Sequence, residues 1–177
     1  MPSGDSTIND EVRTAHANGD EAATPFTLLA SVERLEQAEK SFLIEVTRGL
    51  ERGALADPPY AVAACFQDAR FVTPRTRASY AALAAAGAPC RLHARGLQAW
   101  LAPGVTGVSL SDDDPLVDEW VLVVPGRRPS VFAATDYGPT DVEDLRRGFR
   151  FAVSRDPEIV ARCGAMLGLD PAPDTRT

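Results

Sequence analysis

Residues Tyr60 to Phe66 read Tyr-Ala-Val-Ala-Ala-Cys-Phe, a short apolar run entered from Pro58-Pro59 and left through Gln67-Asp68. Proline clashes with a preceding helical turn and holds the residue before it extended, so helix ends before this point. An unbroken apolar run of strand length, bounded by turn residues, is what a strand covered on both faces shows. Such a strand belongs at the centre of a sheet with helices packed on it, which makes the chain an α/β (α+β) domain.

The flanking segments fit that architecture. Upstream, Leu28, Val32, Leu35, Phe42, Leu43, Val46 and Leu50 recur at steps near three and four, predicting one helical stripe from about Pro25. It either continues to about Gly53 or breaks around Lys40-Ser41, because Glu39 stands where an apolar residue belongs. Downstream, Thr73 is a natural cap, Pro74 suits the first helical position, Ala78 to Ala86 are helix formers, and Gly87 is placed to stop the helix. Strands are expected at Pro89–Arg95, Val105–Leu110, Glu119–Val124 and Ser130–Thr135, with a further one at Phe149–Val153. Asp156-Pro157 opens a last helix closed by Gly168. The order predicts a mixed central sheet of about five to six strands with helices packed on it, and no internal repeat.

The chain is long enough for one core, with residues 25–169 as the domain between tails at 1–24 and 170–177. Five acids (Asp5, Asp10, Glu11, Asp20, Glu21) fall in the first tail, which lacks apolar periodicity and reads as disordered. Acids outnumber bases 25 to 18, giving a net charge of −7. Such a balance argues against direct nucleic-acid binding, which calls for a clustered basic face. No basic start with an apolar core and no run of 18 apolar residues occurs, so no membrane role and a cytoplasmic location are expected. Cys65, Cys90 and Cys163 are odd in number and widely spaced, as core residues are. Lys40 is the only lysine beside 17 arginines, and no function is attached to it.

Several side chains invite chemistry, each with a structural alternative beside it. Gln67, Asp68 and Arg70 follow the central strand, where ligands bind in open sheets. The simpler alternative, and the favoured one, is that Gln67 and Asp68 satisfy loop backbone groups while Arg70 pairs with a nearby acid. Tyr80 lies on an alanine-rich helix, which favours a core role with its hydroxyl at the rim. Glu119 and Trp120 point to opposite faces of a strand. Trp120 is expected in the core, and Glu119 exposed or against Arg91 or Arg95. Arg91, His93 and Arg95 share one face and could receive an anion or simply be solvated. Asp112, Asp113 and Asp114 offer oxygen ligands but lack the glycine and distal glutamate of an EF-hand, so no metal site is assigned. A cysteine enzyme would need Cys65 or Cys90 beside His93 with a depressed thiol pKa. A purely structural adaptor would instead show an exposed apolar patch.

Phe66-Gln67 with Arg70-Phe71, Thr76 and Tyr80, then Asp114-Pro115-Leu116 with Glu119-Trp120, and Ala134 with Asp136, occur in an order that resembles the DICT domain, a sensory domain of diguanylate cyclases and two-component systems. The resemblance covers roughly residues 27 to 168. It implies a stand-alone, non-catalytic sensory module that binds a small ligand or partner and relays a conformational change. The implied partner is a sensor kinase, a transcriptional regulator or a cyclic-dinucleotide enzyme. The resemblance names no ligand or cofactor. The expected ligand-binding set is Gln67, Asp68, Arg70, Thr76, Tyr80, His93, Glu119, Trp120 and Asp136, with no catalytic residue. A homodimer could form through the first helix or a sheet edge.

Overall fold

The structure, a computed structural model, describes residues 23–172; the expected tails fall largely outside these. Thr24 caps the first helix, α1 (Pro25–Val32): its hydroxyl accepts from Thr27 N while Thr27 Oγ1 accepts from Thr24 N, and Pro25 takes the first position. The expected single stripe is divided. A short strand β1 (Glu36–Glu39) separates α1 from α2 (Lys40–Ala56). The interruption runs from Glu33 to Glu39, ahead of the expected break at Lys40-Ser41, which lie in the first turn of α2.

The central run forms β2 (Val62–Asp68), followed by a 3-10 turn at Ala69–Phe71 and by α3 (Pro74–Ala85), whose cap Thr73 accepts from Thr76 N. Gly87, at φ 99°, ends α3 in a backbone conformation open to glycine. Then come β3 (Cys90–Arg95), β4 (Trp100–Ala102), β5 (Val105–Leu110), β6 (Glu119–Val124), β7 (Ser130–Asp136), β8 (Gly148–Ser154) and α4 (Pro157–Met166).

Among the described residues the sheet has eight strands in the order β1-β8-β7-β6-β2-β3-β5-β4, correcting the expected five to six. The two strands the sequence did not announce, β1 and β4, are short edge strands: β1 (Glu-Gln-Ala-Glu) has no apolar run, and β4 (Trp-Leu-Ala) is only three residues long. β2 lies parallel to β3 and antiparallel to β6, so it joins a parallel half to an antiparallel meander. Gly107 lets the Leu97–Gln98 backbone cross β5 closely, since a Cβ there would stand 1.9 Å from Gln98 O.

Alternation along the strands builds two cores. Val62, Ala64, Leu92, Leu122, Phe132, Ala134, Phe149 and Phe151 pack beneath α2 and α3 with Leu43, Tyr80 and Leu83. Ala63, Cys65, Val121, Val123, Val131 and Ala133 pack beneath α1 and α4 with Leu28, Leu29, Val160 and Cys163. No helix among the described residues is long and apolar enough to cross a membrane.

Candidate functional site

On the α2/α3 face the packing stops short of the sheet end formed by the close of β2 and β7 and the start of β6 and β8. A cleft of about 1380 Å³ opens there. Phe66, Trp120, Phe149 and Leu83 supply apolar lining, α2 and α3 form one side, and residues 140–147 of the β7–β8 connection form another. Trp120 meets Phe132 and Phe149 edge-on, at centroid separations of 5.3 and 5.8 Å, so its ring is held in place.

Gln67 enters this cleft because β2 is bulged. Its φ of 67° is left-handed, and the β2–β3 register shifts between Cys65 and Asp68. Strict alternation would place Gln67 with Ala63 and Cys65 on the opposite face; the bulge re-aims it beside Phe66. There its amide donates to Asp118 O at 2.8 Å and to Asp136 Oδ2 at 3.0 Å. A non-glycine residue in this region carries backbone strain, and such outliers cluster at binding sites.

Two groups of charge line the cleft. Near Gln67, Arg147 pairs with Asp136 and Asp144, and Lys40 meets Asp144 at 2.5 Å. These interactions hold Asp144 well charged, and its pKa is lowered despite partial burial. Phe71 is flanked by three cations, Lys40 Nζ at 4.0 Å, Arg70 at 4.8 Å and Arg147 at 5.7 Å from the ring centre. The second group, from α2 and the first turn of α3, is Arg48, Arg52 and Arg75 around Glu51. Burial raises the Glu51 pKa against the opposing pull of the Tyr80 hydroxyl and of these arginines.

Five of the nine expected residues, Gln67, Arg70, Thr76, Trp120 and Asp136, line the cleft. The other four do not line it. Asp68 caps the turn at Ala69–Phe71 through Arg70 N. Tyr80 is buried behind the wall, as expected of a core residue. Glu119 is buried on the opposite face, where Oε2 accepts from Phe26 N at 3.0 Å and fastens α1 to the sheet; it touches neither Arg91 nor Arg95, contrary to expectation. Trp120 is only partly buried and borders the cleft. His93 also belongs to the opposite face: Nε2 lies 3.0 Å from Leu167 O, Nδ1 is buried without a partner, and burial lowers its pKa.

Sequence reasoning missed Lys40, Arg48, Glu51, Arg52, Arg75, Asp144 and Arg147. A signal existed in α2, where Arg48, Glu51 and Arg52 recur at steps of three and one beside the apolar stripe. Asp112 to Asp114 serve the turn before β6: Asp114 caps it through Leu116 N, and Asp113 accepts from Ser111. Among the described residues, no group of three His, Cys, Asp or Glu is placed to hold a metal ion. Cys65 and His93 are neighbours in register on β2 and β3, but burial pushes Cys65, Cys90 and Cys163 each up to about 12. A nucleophilic thiolate needs the reverse shift, so these buried thiols lend no support to the cysteine-enzyme alternative.

No family model and no curated protein matches the chain. Its fold is similar to that of NucT from Helicobacter pylori, with a TM-score of 0.52 and 7% identity over 76% of this chain and 92% of that one. Weaker likenesses are to TrmBL2, an archaeal chromatin protein with a novel mode of DNA binding (TM-score 0.48, 12% identity, 80% of this chain and 55% of that one), and to Nuc from Salmonella typhimurium, a phospholipase D family member (TM-score 0.46, 12% identity, 76% and 91%). At these identities the likeness is one of fold. The fold likeness to NucT runs against the expectations of a non-catalytic sensory and signalling module, of no enzymatic activity, of a sensor kinase, transcriptional regulator or cyclic-dinucleotide enzyme as partner, and of no direct nucleic-acid contact; those expectations are set aside, and the likeness itself shows the fold alone and assigns no activity or partner in their place. The motifs behind those expectations include structural fasteners: Glu119 secures α1 and Asp114 caps a turn, tasks that carry no signalling chemistry.

Proposed function

We propose that the protein binds a small organic anion with a planar apolar body in the cleft between α2, α3 and the sheet end. One observation carries this reading. In a chain of net charge −7, the cleft lining holds six basic side chains (Lys40, Arg48, Arg52, Arg70, Arg75, Arg147) against three acids (Glu51, Asp136, Asp144) over an aromatic floor. Small-molecule sites are concave, mainly apolar and furnished with a few placed polar groups, in volumes of roughly 300–1,000 Å³. The cleft has that chemistry and is large enough for such a ligand. The three unpaired, buried cysteines fit a reducing, cytoplasmic setting. Kinship with the DICT family stays a proposal, supported by the meeting of Phe66, Gln67, Trp120 and Asp136 at this sheet end.

The test uses 8-anilinonaphthalene-1-sulfonate, which unites an aromatic body with one negative charge. In a Trp100→Phe background, which removes the exposed tryptophan, energy transfer from Trp120 reports occupancy. Saturable one-to-one transfer is expected, together with its loss in Ser79→Phe, whose ring would intrude into the cleft from α3 without adding a second indole donor. Transfer that never saturates, or that survives Ser79→Phe unchanged, overturns the reading. Displacement of the dye by a short single-stranded oligonucleotide, but by no small anion, overturns the small-molecule assignment.

A further inference from the structure

The two charge groups in the cleft are not equivalent. Beside Gln67, the Arg147 guanidinium and the Lys40 ammonium already face the carboxylates of Asp136 and Asp144. At these two cations an incoming anion would have to displace a carboxylate; Arg70, without an ion pair within 4.0 Å among the described residues, is the one free cation of this group and lies over the Phe71 ring. Between α2 and α3 the balance differs. Arg52 and Arg75 have no ion-pair partner within 4.0 Å among the described residues, and Arg48 engages only the exposed Glu45, at 2.8 Å. Arg48 and Arg52, one turn apart on α2, and Arg75, in the first turn of α3, line the same wall of the cleft on either side of Glu51. Burial of Glu51 favours the protonated form of its carboxyl, so it opposes an anion less than an exposed carboxylate would. Arginine presents a planar fork of donors matched to tetrahedral oxyanions, and several forks converging on one point favour a dianion over a monoanion.

We propose that the α2/α3 wall is the headgroup subsite of the ligand: Arg48, Arg52 and Arg75 take a dianionic phosphate ester, while its planar body reaches toward Phe66 and Trp120. The assignment rests on the cleft being the ligand site and adds the ligand's class and its orientation. The opposite end, where Gln67 and Asp136 present polar atoms, is left to a neutral or donor-bearing part of the molecule.

Three naphthalenes test it with the Trp100→Phe protein and Trp120 fluorescence: 1-naphthyl phosphate, 1-naphthoate and 1-naphthol. Affinity is expected to fall in that order, with the phosphate at least tenfold tighter than the alcohol. Raising salt should weaken the phosphate and leave the alcohol unchanged. Arg52→Gln with Arg75→Gln should collapse the phosphate-to-alcohol ratio toward one, whereas Arg127→Gln, outside the cleft lining, should leave it intact. The double variant Arg52→Lys with Arg75→Lys, which keeps charge without the fork, should fall between. Equal binding of phosphate and alcohol in the unsubstituted cleft, or a ratio unmoved by the glutamine pair, overturns the headgroup assignment while the cleft stands. Failure of all three naphthalenes to bind removes the cleft reading, and this assignment with it. Release of free 1-naphthol from the phosphate would appear in the same cuvette as a rising naphthol emission, and it supports the subsite by showing the ester held there.

Discussion

Gln67 is the only non-glycine residue with positive φ among the described residues, and it sits at the closing end of the largely buried central strand β2. A Cβ makes the left-handed region costly by roughly 1–2 kcal/mol, so the two amide hydrogen bonds of Gln67 must offset that cost locally. Gln67→Ala retains the strain and loses both bonds, and should lower stability by about 1–3 kcal/mol in urea denaturation. Gln67→Gly loses the same bonds but relieves the backbone, and should be the more stable of the two variants. A glycine variant no better than the alanine one would remove strain from the account. The sequence pointed to Gln67 through its place after an apolar run, but not to the bulge. Read by alternation, residue 67 belongs with Cys65, and only the register shift against β3 brings it beside Phe66. Glu119 shows the converse: its alternation was legible, and its partner, the Phe26 amide on α1, was not, because contacts between distant segments leave no local trace in composition.

The helices and interior strands were legible because caps and apolar runs are local signals; Thr73-Pro74 before α3 and Asp156-Pro157 before α4 mark their starts directly. Edge strands leave no such mark, and β1, read as part of a helix, shows why: Glu36, Gln37 and Glu39 are exposed and gain their extended form from pairing with β8. The β7–β8 connection was equally silent. It lines the cleft with Thr140, Val142, Asp144 and Leu145, and Asp144 ties it to Lys40 on α2. Because Asp144 is half exposed, the ion pairs add little to global stability, within about 1 kcal/mol. Asp144→Asn should therefore leave the urea midpoint nearly unchanged while speeding amide exchange across residues 138–146, as followed by mass spectrometry. Unchanged exchange there would show that the turn at Asp144–Arg146 holds the segment without the ion pairs.

At the scale of the molecule the two faces of the sheet divide the work. The α1/α4 face is closed, with Leu29 and Cys163 fully buried, whereas the α2/α3 face gives up packing at one end to leave the cleft. Stability and binding should therefore separate on mutation. Leu29→Ala should cost about 2–5 kcal/mol by opening a cavity, while the naphthalenesulfonate affinity of the folded fraction stays the same. A loss of affinity in step with stability would mean that the faces are coupled through the sheet. The strand order also sets a schedule for the growing chain. β6, β7 and β8 are a sequence-local meander, but β1 pairs with β8, so that Glu36 meets Phe151 only after more than a hundred further residues have been joined. Non-local pairings carry the larger loop-closure penalty and form late. On the ribosome, the apolar side chains of α1 must wait uncovered until the last strand emerges, which makes the interval before β8 is complete the time at which this protein most needs a chaperone.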